Sequence, residues 1–552
     1  MVPRAGETDP RIRSFVQPAR VVWASGAGVA DPEALLTGGS VGTVEGPCAP
    51  PRVCTLTPAA GCGAPALLLD FGCELHGGIR IDAPGGPTQR PLRVRVRFGE
   101  SASEAMGGPN QDHTLHDLEL GVPWMGHQEI GNTGFRFVRI DLLEAEESLR
   151  LSGVRAVFLR RDLPYLGSFE CNDELLNRVW QTGAYTVHLN MQDYLWDGIK
   201  RDRLVWMGDM HPETRVVSTV FGNIDVVPRS MEYVRDRTPL PGWMNGISSY
   251  SLWWLICHLD WYRYTGDLET VKRQASYLPQ LVDLVAQLVA EDGQEAITGV
   301  RFLEWPTSRD STAIDAGLQA LVALALEAGA SLCRLVGAME TAGRADEAAR
   351  RALAVRRPAT RSKQANALLA MAGMADPTEV NRTILAIDPD RGVSTFYGYY
   401  ILEARAMAGD FEGCLDLIRS FWGGMLAMGA TTFWEDFNLD WTLGAAGIDD
   451  LVPPGMKDIH ADFGDFCYQG LRHSLCHGWA AGPTAWLTEY VLGLAPAEPG
   501  FTTLSVRPNL GGLQWARGSL PTPMGVVRVE HRIDADGELR TDLDLPPGMR
   551  VA

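Results

Sequence analysis

Asp197-Gly198-Ile199-Lys200-Arg201-Asp202-Arg203-Leu204-Val205-Trp206-Met207-Gly208-Asp209 is the stretch on which the reading of this chain turns. It sets three carboxylates, three cations and a tryptophan in one turn-rich segment. Buried carboxylates need partners, and Lys200, Arg201 and Arg203 can supply them. So much charge beside apolar surface points to a polar ligand. Carboxylates serve as acid, base and hydroxyl acceptor, and an aromatic face packs on a sugar ring, so a carbohydrate cleft uses this inventory.

Texture changes on either side of the segment. Upstream, Leu92, Val94, Val96 and Phe98 alternate with Arg93, Arg95 and Arg97, the period of a strand with one wet face. Residues 134–143, 66–71 and 149–159 are further strands, punctuated by Gly and Pro as a sandwich requires. From about Gly167 the apolar spacing becomes helical. Asn172-Asp173 caps a helix running to about Tyr194, with Leu175, Leu176, Val179 and Trp180 as its stripe. Residues 271–290 and 313–336 are the clearest later helices. Loops rich in Trp, Tyr, Asp, Glu and His separate them, which suggests a helical toroid whose loops converge on an axial pocket. After Pro499 the pattern is β-like again, in a tail too short to stand alone. The expected organisation is a β-sandwich over 1–165, a helical catalytic domain over 166–497 and a short β-domain over 498–552.

The 552 residues are 45% hydrophobic and 21% charged, as in an ordinary globular protein. A net charge of −19 argues against nucleic acid, which needs a basic face. Residues 1–16 hold no signal-like apolar core, and no later apolar run approaches the roughly 20 residues of a membrane span. No membrane contact is expected, and the cytoplasm is the expected location. The ten cysteines are scattered, with Cys48, Cys54, Cys62 and Cys73 closest together and without zinc-ligand spacing. His460, His473 and His477 also lack metal-ligand spacing. No metal or cofactor is expected. A homo-oligomer is allowed.

Asp202, between Trp196 and Trp206, is the first candidate acid, or else a salt-bridge partner of Arg201 or Arg203. Asp197 and Asp209 suit sugar hydroxyls, arginine orientation or helix capping. Glu435, in Thr431-Thr432-Phe433-Trp434-Glu435-Asp436-Phe437, is one of two consecutive acids with no sequence-neighbouring cation. Its alternative is a helix N-terminus with acids set against the dipole. Glu304, beside Trp305, is a third loop acid. Trp196, Trp206, Trp243, Trp305, Trp434 and Trp441 all fall in acid-rich loops, a coincidence that favours a sugar cleft.

Residues 197–209 resemble the signature of glycoside hydrolase family 78, the α-L-rhamnosidases, usually Asp-Cys-Pro-Gln-Arg-Glu-x-x-Gly-Trp-x-Gly-Asp. Asp197, Arg201, Trp206, Gly208 and Asp209 stand at matching positions. The stretch from Gly167 to Asn177, Gly429 to Glu435, Ser474 to Gly478, and the tail from Val506 to Arg517 are also similar. Upstream, Asp70-Phe71-Gly72 and Phe98-Gly99-Glu100 resemble the family's β-sandwich. The resemblance runs from about 64 to 532. It implies an (α/α)6 barrel flanked by β-domains and inverting hydrolysis of terminal α-L-rhamnosides. By position it implies Asp202 as general acid and Glu435 as general base. It matches Asp197 and Asp209 to sugar-binding acids, His477 to a histidine near the pocket and Glu304-Trp305 to a family Asp-Trp pair; with Arg201 and the loop tryptophans Trp206, Trp243 and Trp434 they make the expected substrate-binding set.

Two departures stand out. Asp202 is shorter than the usual glutamate, drawing its carboxyl back by roughly 1.3 Å, which opens Glu213 or Glu304 as alternative acids. Lys200 replaces glutamine and Val205 replaces glycine, so a different sugar or an acidic neighbour is expected at that subsite. Additional N-terminal sugar-binding modules are not expected, which points to small glycosides or oligosaccharides. Arg201, if aimed at Asp202, would oppose its protonation, so Arg201 is expected to serve Asp197 or Asp209. A different α-L-glycosidase or a polysaccharide lyase on the same toroid, the lyase with Tyr397, Tyr399 or His211 as base, and a non-catalytic sugar-binding protein are the alternatives.

Overall fold

The computed structural model describes residues 9–26, 28–37, 52–86, 88–108, 116–357 and 360–552. Cys48 lies outside them. Alternation decides the N-terminal part: Leu92, Val94, Val96 and Phe98 are buried on one face of the strand Leu92–Gly99. A seven-stranded antiparallel sheet runs Arg11–Val16, Gly153–Arg161, Ala66–Pro84, Met125–Leu142, Leu92–Gly99, Asp117–Val122, and Arg20–Ala24 pairs with Ala66–Pro84. Val29–Ala30, Cys54–Leu56 and Leu149–Leu151 form a second sheet. Cys54, Leu56, Leu149 and Leu151 share a core with Leu67, Leu69, Ile79 and Ile81 of the first. The expected strand over 149–159 is therefore divided between two sheets. The expected wet face holds for Arg93 but not for Arg97, which is buried and pairs with Asp141 at 2.8 Å.

The Asp173 side chain accepts hydrogen bonds from the backbone of Leu175 and Leu176 and starts the helix Glu174–Asn190. That helix stops short of Tyr194. Met191 leaves helical geometry and bridges to Leu195, a turn that delivers the chain to Asp197. The single helix expected over 271–290 is two, Leu268–Lys272 and Leu278–Gln287. Pro279 sits in the first turn of the second, where a missing N–H is harmless. Against expectation, Ser311–Leu335 is long and apolar enough to cross a membrane by length and composition. With 83% of its most apolar window buried inside the protein, it is a core helix.

At the C-terminus Trp515–Thr522, Gly525–Ile533 and Leu539–Asp544 form an antiparallel sheet whose edge is completed by Ser168–Cys171. The chain thus leaves the N-terminal sheets, adds a strand to the sheet of its own tail, and only then becomes helical. Leu520, Val527 and Val529 join the helical core, the packing expected of so short a tail.

Candidate active site

Three segments far apart in sequence meet through their backbones. Gly198 forms a β-bridge with His477. The Gly478 N–H donates to the Asp197 carbonyl at 2.9 Å, the His477 N–H to Phe433 at 2.9 Å, and the Glu435 N–H to Ser474 at 3.0 Å. Residues 197–209, 431–437 and 471–479 therefore make one continuous floor.

The first segment is a closed loop. The Asp197 N–H donates to the Leu204 carbonyl at 3.0 Å, and Asp197 Oδ1 accepts the Leu204 N–H at 2.9 Å. Between these ties, Asp202 and Arg203 both have left-handed backbones, with φ of 53° and 52°. Such conformations cost about 1–2 kcal/mol each for residues other than glycine, and they persist where surrounding structure imposes them. Here the imposed turn lifts Asp202 to the mouth of a cavity, its side chain 37% exposed.

Glu435 lies deeper, its side chain 5% exposed. Its main-chain carbonyl accepts from the Thr395 hydroxyl at 2.6 Å and the Trp479 indole at 2.9 Å. Its Oε2 accepts from Arg201 Nη2 at 2.7 Å and from the Ser474 N–H at 3.2 Å. The sequence places no cation beside Glu435; the fold brings one from 234 residues away. Arg201 does not serve Asp197 or Asp209 as expected. Its second nitrogen, Nη1, lies 3.4 Å from Asp202 Oδ1, so one guanidinium spans both candidate catalytic carboxylates.

Behind them lies a buried charge cluster. His477 Nε2 is 3.1 Å from Asp209 Oδ2, and its Nδ1 is 3.7 Å from Glu435 Oε1. Burial alone would lower the His477 pKa, but Glu435, Asp209 and Asp197 around it raise it to about 9. Burial holds the Asp209 carboxyl above the usual range, although His477 and the Tyr250 hydroxyl, 3.2 Å away, act against it. Burial also pushes Asp197 well up, with Asp209 adding repulsion. Asp209 precedes the helix Met210–Val220 without making a side-chain cap, so the capping reading of Asp209 fails.

The cavity holds about 160 Å³. That is below the roughly 300–1,000 Å³ of pockets for drug-sized ligands and suits a single sugar ring. Asp197, Arg201, Asp202, Trp206, Asp209, Trp305, Glu435 and His477 line it. Trp243, Glu304 and Trp434 do not. Trp434 is 1% exposed and belongs to the hydrophobic core. Glu304 is buried against the Ser394 hydroxyl, with burial pushing its pKa up to about 8. Trp243 packs on the core from outside, against Gly299. Neither alternative acid reaches the cavity: Glu213 is fully buried, its Oε1 packed against Gly478. Tyr397 is buried as well, and Tyr399 and His211 face a separate cavity of about 340 Å³.

Lys200 is absent from the cavity lining and pairs with Glu100 and Glu104, contrary to its expected subsite role. Val205 is buried and also stays out of the lining. Tyr250, Phe302, Tyr468 and Trp479 add aromatic rings to the lining. Sequence reading had marked their loops as rich in aromatics and acids, without separating lining rings from core rings. A wider cleft of about 710 Å³ at the C-terminal sheet is edged by the exposed ion pairs Glu170–Arg517 and Arg528–Asp544. Exposed pairs of this kind are screened and bind little.

Residues 164–362 match the family model of the bacterial α-L-rhamnosidase six-hairpin glycosidase domain. Residues 493–552 match that of the bacterial α-L-rhamnosidase C-terminal domain. The resemblance to the α-L-rhamnosidases is shown for both segments. An α-L-rhamnosidase of Formosa agariphila is 25% identical over 31% of this chain and 20% of its own length. The family 78 rhamnosidase of Bacillus sp. GL1 superposes with a TM-score of 0.74 at 22% identity, over 95% of this chain and 56% of that one. The Streptomyces avermitilis α-L-rhamnosidase complexed with L-rhamnose gives 0.74 at 16%, over 98% and 50%. The Klebsiella oxytoca rhamnosidase with rhamnose bound gives 0.68 at 18%, over 87% of this chain and 96% of its own. The chain spans a fifth of the curated relative and about half of the two larger structures. These likenesses show a shared fold: a helical domain of rhamnosidase type with a C-terminal β-domain.

Proposed function

We propose that this chain is an exo-acting, inverting glycoside hydrolase that removes terminal α-L-rhamnosyl residues from small glycosides or oligosaccharides. One observation carries the reading: a single small cavity presents Glu435 and Asp202 on the two arms of one guanidinium, with Trp206 and Trp305 also in its lining. The helices are read as an (α/α)6 barrel, with the cavity at one mouth. L-Rhamnose in the Streptomyces and Klebsiella relatives supports the choice of sugar.

Arg201 stands between the two carboxyl groups, its Nη2 2.7 Å from Glu435 Oε2 and its Nη1 3.4 Å from Asp202 Oδ1. Inverting enzymes separate their carboxyl groups by roughly 6.5–9.5 Å to admit a water. In the proposed reaction that water attacks the anomeric carbon as Glu435 takes its proton. The bond from the anomeric carbon to the leaving oxygen breaks on the opposite face, and Asp202 gives that oxygen its proton once its 3.4 Å contact with Arg201 Nη1 has opened, because a cation held there would oppose the protonated acid. The products are the inverted free sugar and the alcohol. Depth fits this division. The leaving group of a terminal sugar points to solvent, so its acid belongs at the mouth, where Asp202 sits, and the base belongs below. Asp197, Asp209 and His477 offer a mixed set of acceptors and donors to ring hydroxyls.

Turnover of an aryl α-L-rhamnoside, with proton NMR of the first-formed anomer, tests the reading. Retention of configuration overturns the mechanism. Rhamnose binding by calorimetry without cleavage of any rhamnoside supports instead a non-catalytic sugar-binding protein.

A further inference from the structure

The sheets of the N-terminal domain lie outside the cavity, yet two of their carboxylates reach the strand of chain that holds Glu435. Glu100 and Glu104 follow the strand Leu92–Gly99, and both are fully buried. Lys200, also buried, sits between them, its Nζ 3.0 Å from Glu100 Oε2 and 3.2 Å from Glu104 Oε1. The same ammonium donates to the carbonyls of Leu471 at 3.0 Å and His473 at 2.7 Å. Glu100, Glu104 and His460 offer ligand atoms close enough together for a cation. The Lys200 ammonium already fills that role, so the cluster is an ion triad and not a metal site.

The triad grips residues 471–475 on the face opposite the cavity. Glu100 Oε2 accepts the Leu475 N–H at 2.6 Å, and the Ser474 hydroxyl donates to Glu100 Oε1 at 3.4 Å. On the other side the Ser474 N–H donates to Glu435 Oε2, and the Ser474 carbonyl accepts the Glu435 N–H. Ser101 adds a second tie, its hydroxyl 2.7 Å from His460 Nδ1, while His460 Nε2 meets the His473 carbonyl at 2.9 Å. His473 Nε2 in turn accepts the Asp436 N–H at 2.8 Å. These routes run from the β-domain through residues 471–475 to Glu435 or its neighbour. Lys200 is also covalently joined to Arg201, which holds Glu435 from its other flank.

We propose that Glu100 and Glu104, acting through Lys200 and residues 471–475, position the Glu435 carboxylate, so that the N-terminal β-domain is part of the catalytic machinery. The proposal rests on the reading of Glu435 as general base. None of the three charged residues lines the cavity, so all three are positioning residues. A misplacement near 1 Å at a reacting group costs about 100-fold in rate.

The test uses the full chain with Glu100→Gln and Lys200→Met, assayed on an aryl α-L-rhamnoside with thermal melting as the folding control. The proposal expects kcat to fall by about 10- to 100-fold with KM little changed, because sugar-contacting groups stay in place. Folded variants with wild-type kcat, or a loss carried entirely by KM, would overturn it. Glu100→Gln keeps the shape of the side chain and carries the test if Lys200→Met does not fold. If the wild type cleaves no rhamnoside, the functional reading fails, and hydrogen exchange then decides the positioning separately. The Ser474 and Leu475 amides are expected to exchange faster in Glu100→Gln than in wild type, and unchanged protection overturns the proposal.

Discussion

Asp202 and Glu435 face the same cavity, yet they are held in opposite ways. Asp202 stands on a strained turn at the mouth, with one long contact to Arg201. Glu435 is tied through its amide, its carbonyl and one carboxylate oxygen to residues from three distant parts of the chain, Arg201, Thr395 and the 474–479 stretch. The contrast matches the proposed mechanism, in which Asp202 as acid to a departing group needs access and a defined direction and Glu435 as base to a water needs a fixed position. The resemblance assigned both roles by motif alone; the packing assigns them different mechanical demands.

The comparison can be broken most sharply at the base. Glu435→Gln removes the proton acceptor and is expected to lower kcat by about 10²–10⁴-fold in steady-state assays. Near-wild-type turnover would falsify its role. Asp202→Asn is expected to cost about 10²-fold on substrates with a poor leaving group and much less on a dinitrophenyl rhamnoside, which needs no protonation. A loss equal across leaving groups removes Asp202 as the acid.

The floor segment 471–479 carries a packing constraint. A Cβ at Gly478 would meet Glu213 Oε1 at 1.6 Å. Gly478→Ala is expected to cost about 1–3 kcal/mol of stability by overpacking and to lower kcat through the shifted floor, which thermal melts and kinetics together measure.

The charge cluster predicts a pH dependence. The folded His477 pKa of about 9 lies above its ordinary 6.5. Its contribution to stability is therefore full below about pH 6.5 and lost as pH rises through about 9. Denaturant unfolding across pH 6–10 should show that decline in wild type and lose it in His477→Gln; a flat wild-type profile sinks the assignment. The smallest effect on activity separates two tryptophans. Trp305→Ala should raise KM, whereas Trp434→Phe should leave KM unchanged and lower only the melting temperature.

Much of this was legible before any coordinates. Period-two alternation located Leu92–Gly99 because one face of a strand is buried, and the Asp173 cap located the first long helix because its N–H groups need acceptors. The segment 197–209 announced the site by its charge density. The illegible parts share a cause. Trp243, Trp305 and Trp434 look alike in sequence, because an indole in an acid-rich loop carries no sign of which side faces solvent. Lys200 and Arg201 are neighbours, yet one turns to the β-domain and the other to the cavity, a choice made by Glu100, Glu104 and Glu435 from afar.

The sequence by itself determined which segments are strands, which are helices and which loops carry the chemistry, since these follow from local periodicity, capping and residue type. The tertiary structure alone decided who pairs with whom. Arg201 bridges two carboxylates, Lys200 locks two domains and His477 holds a proton among acids. Electrostatic partnership depends on distance and burial, and neither is a property of neighbours along the chain.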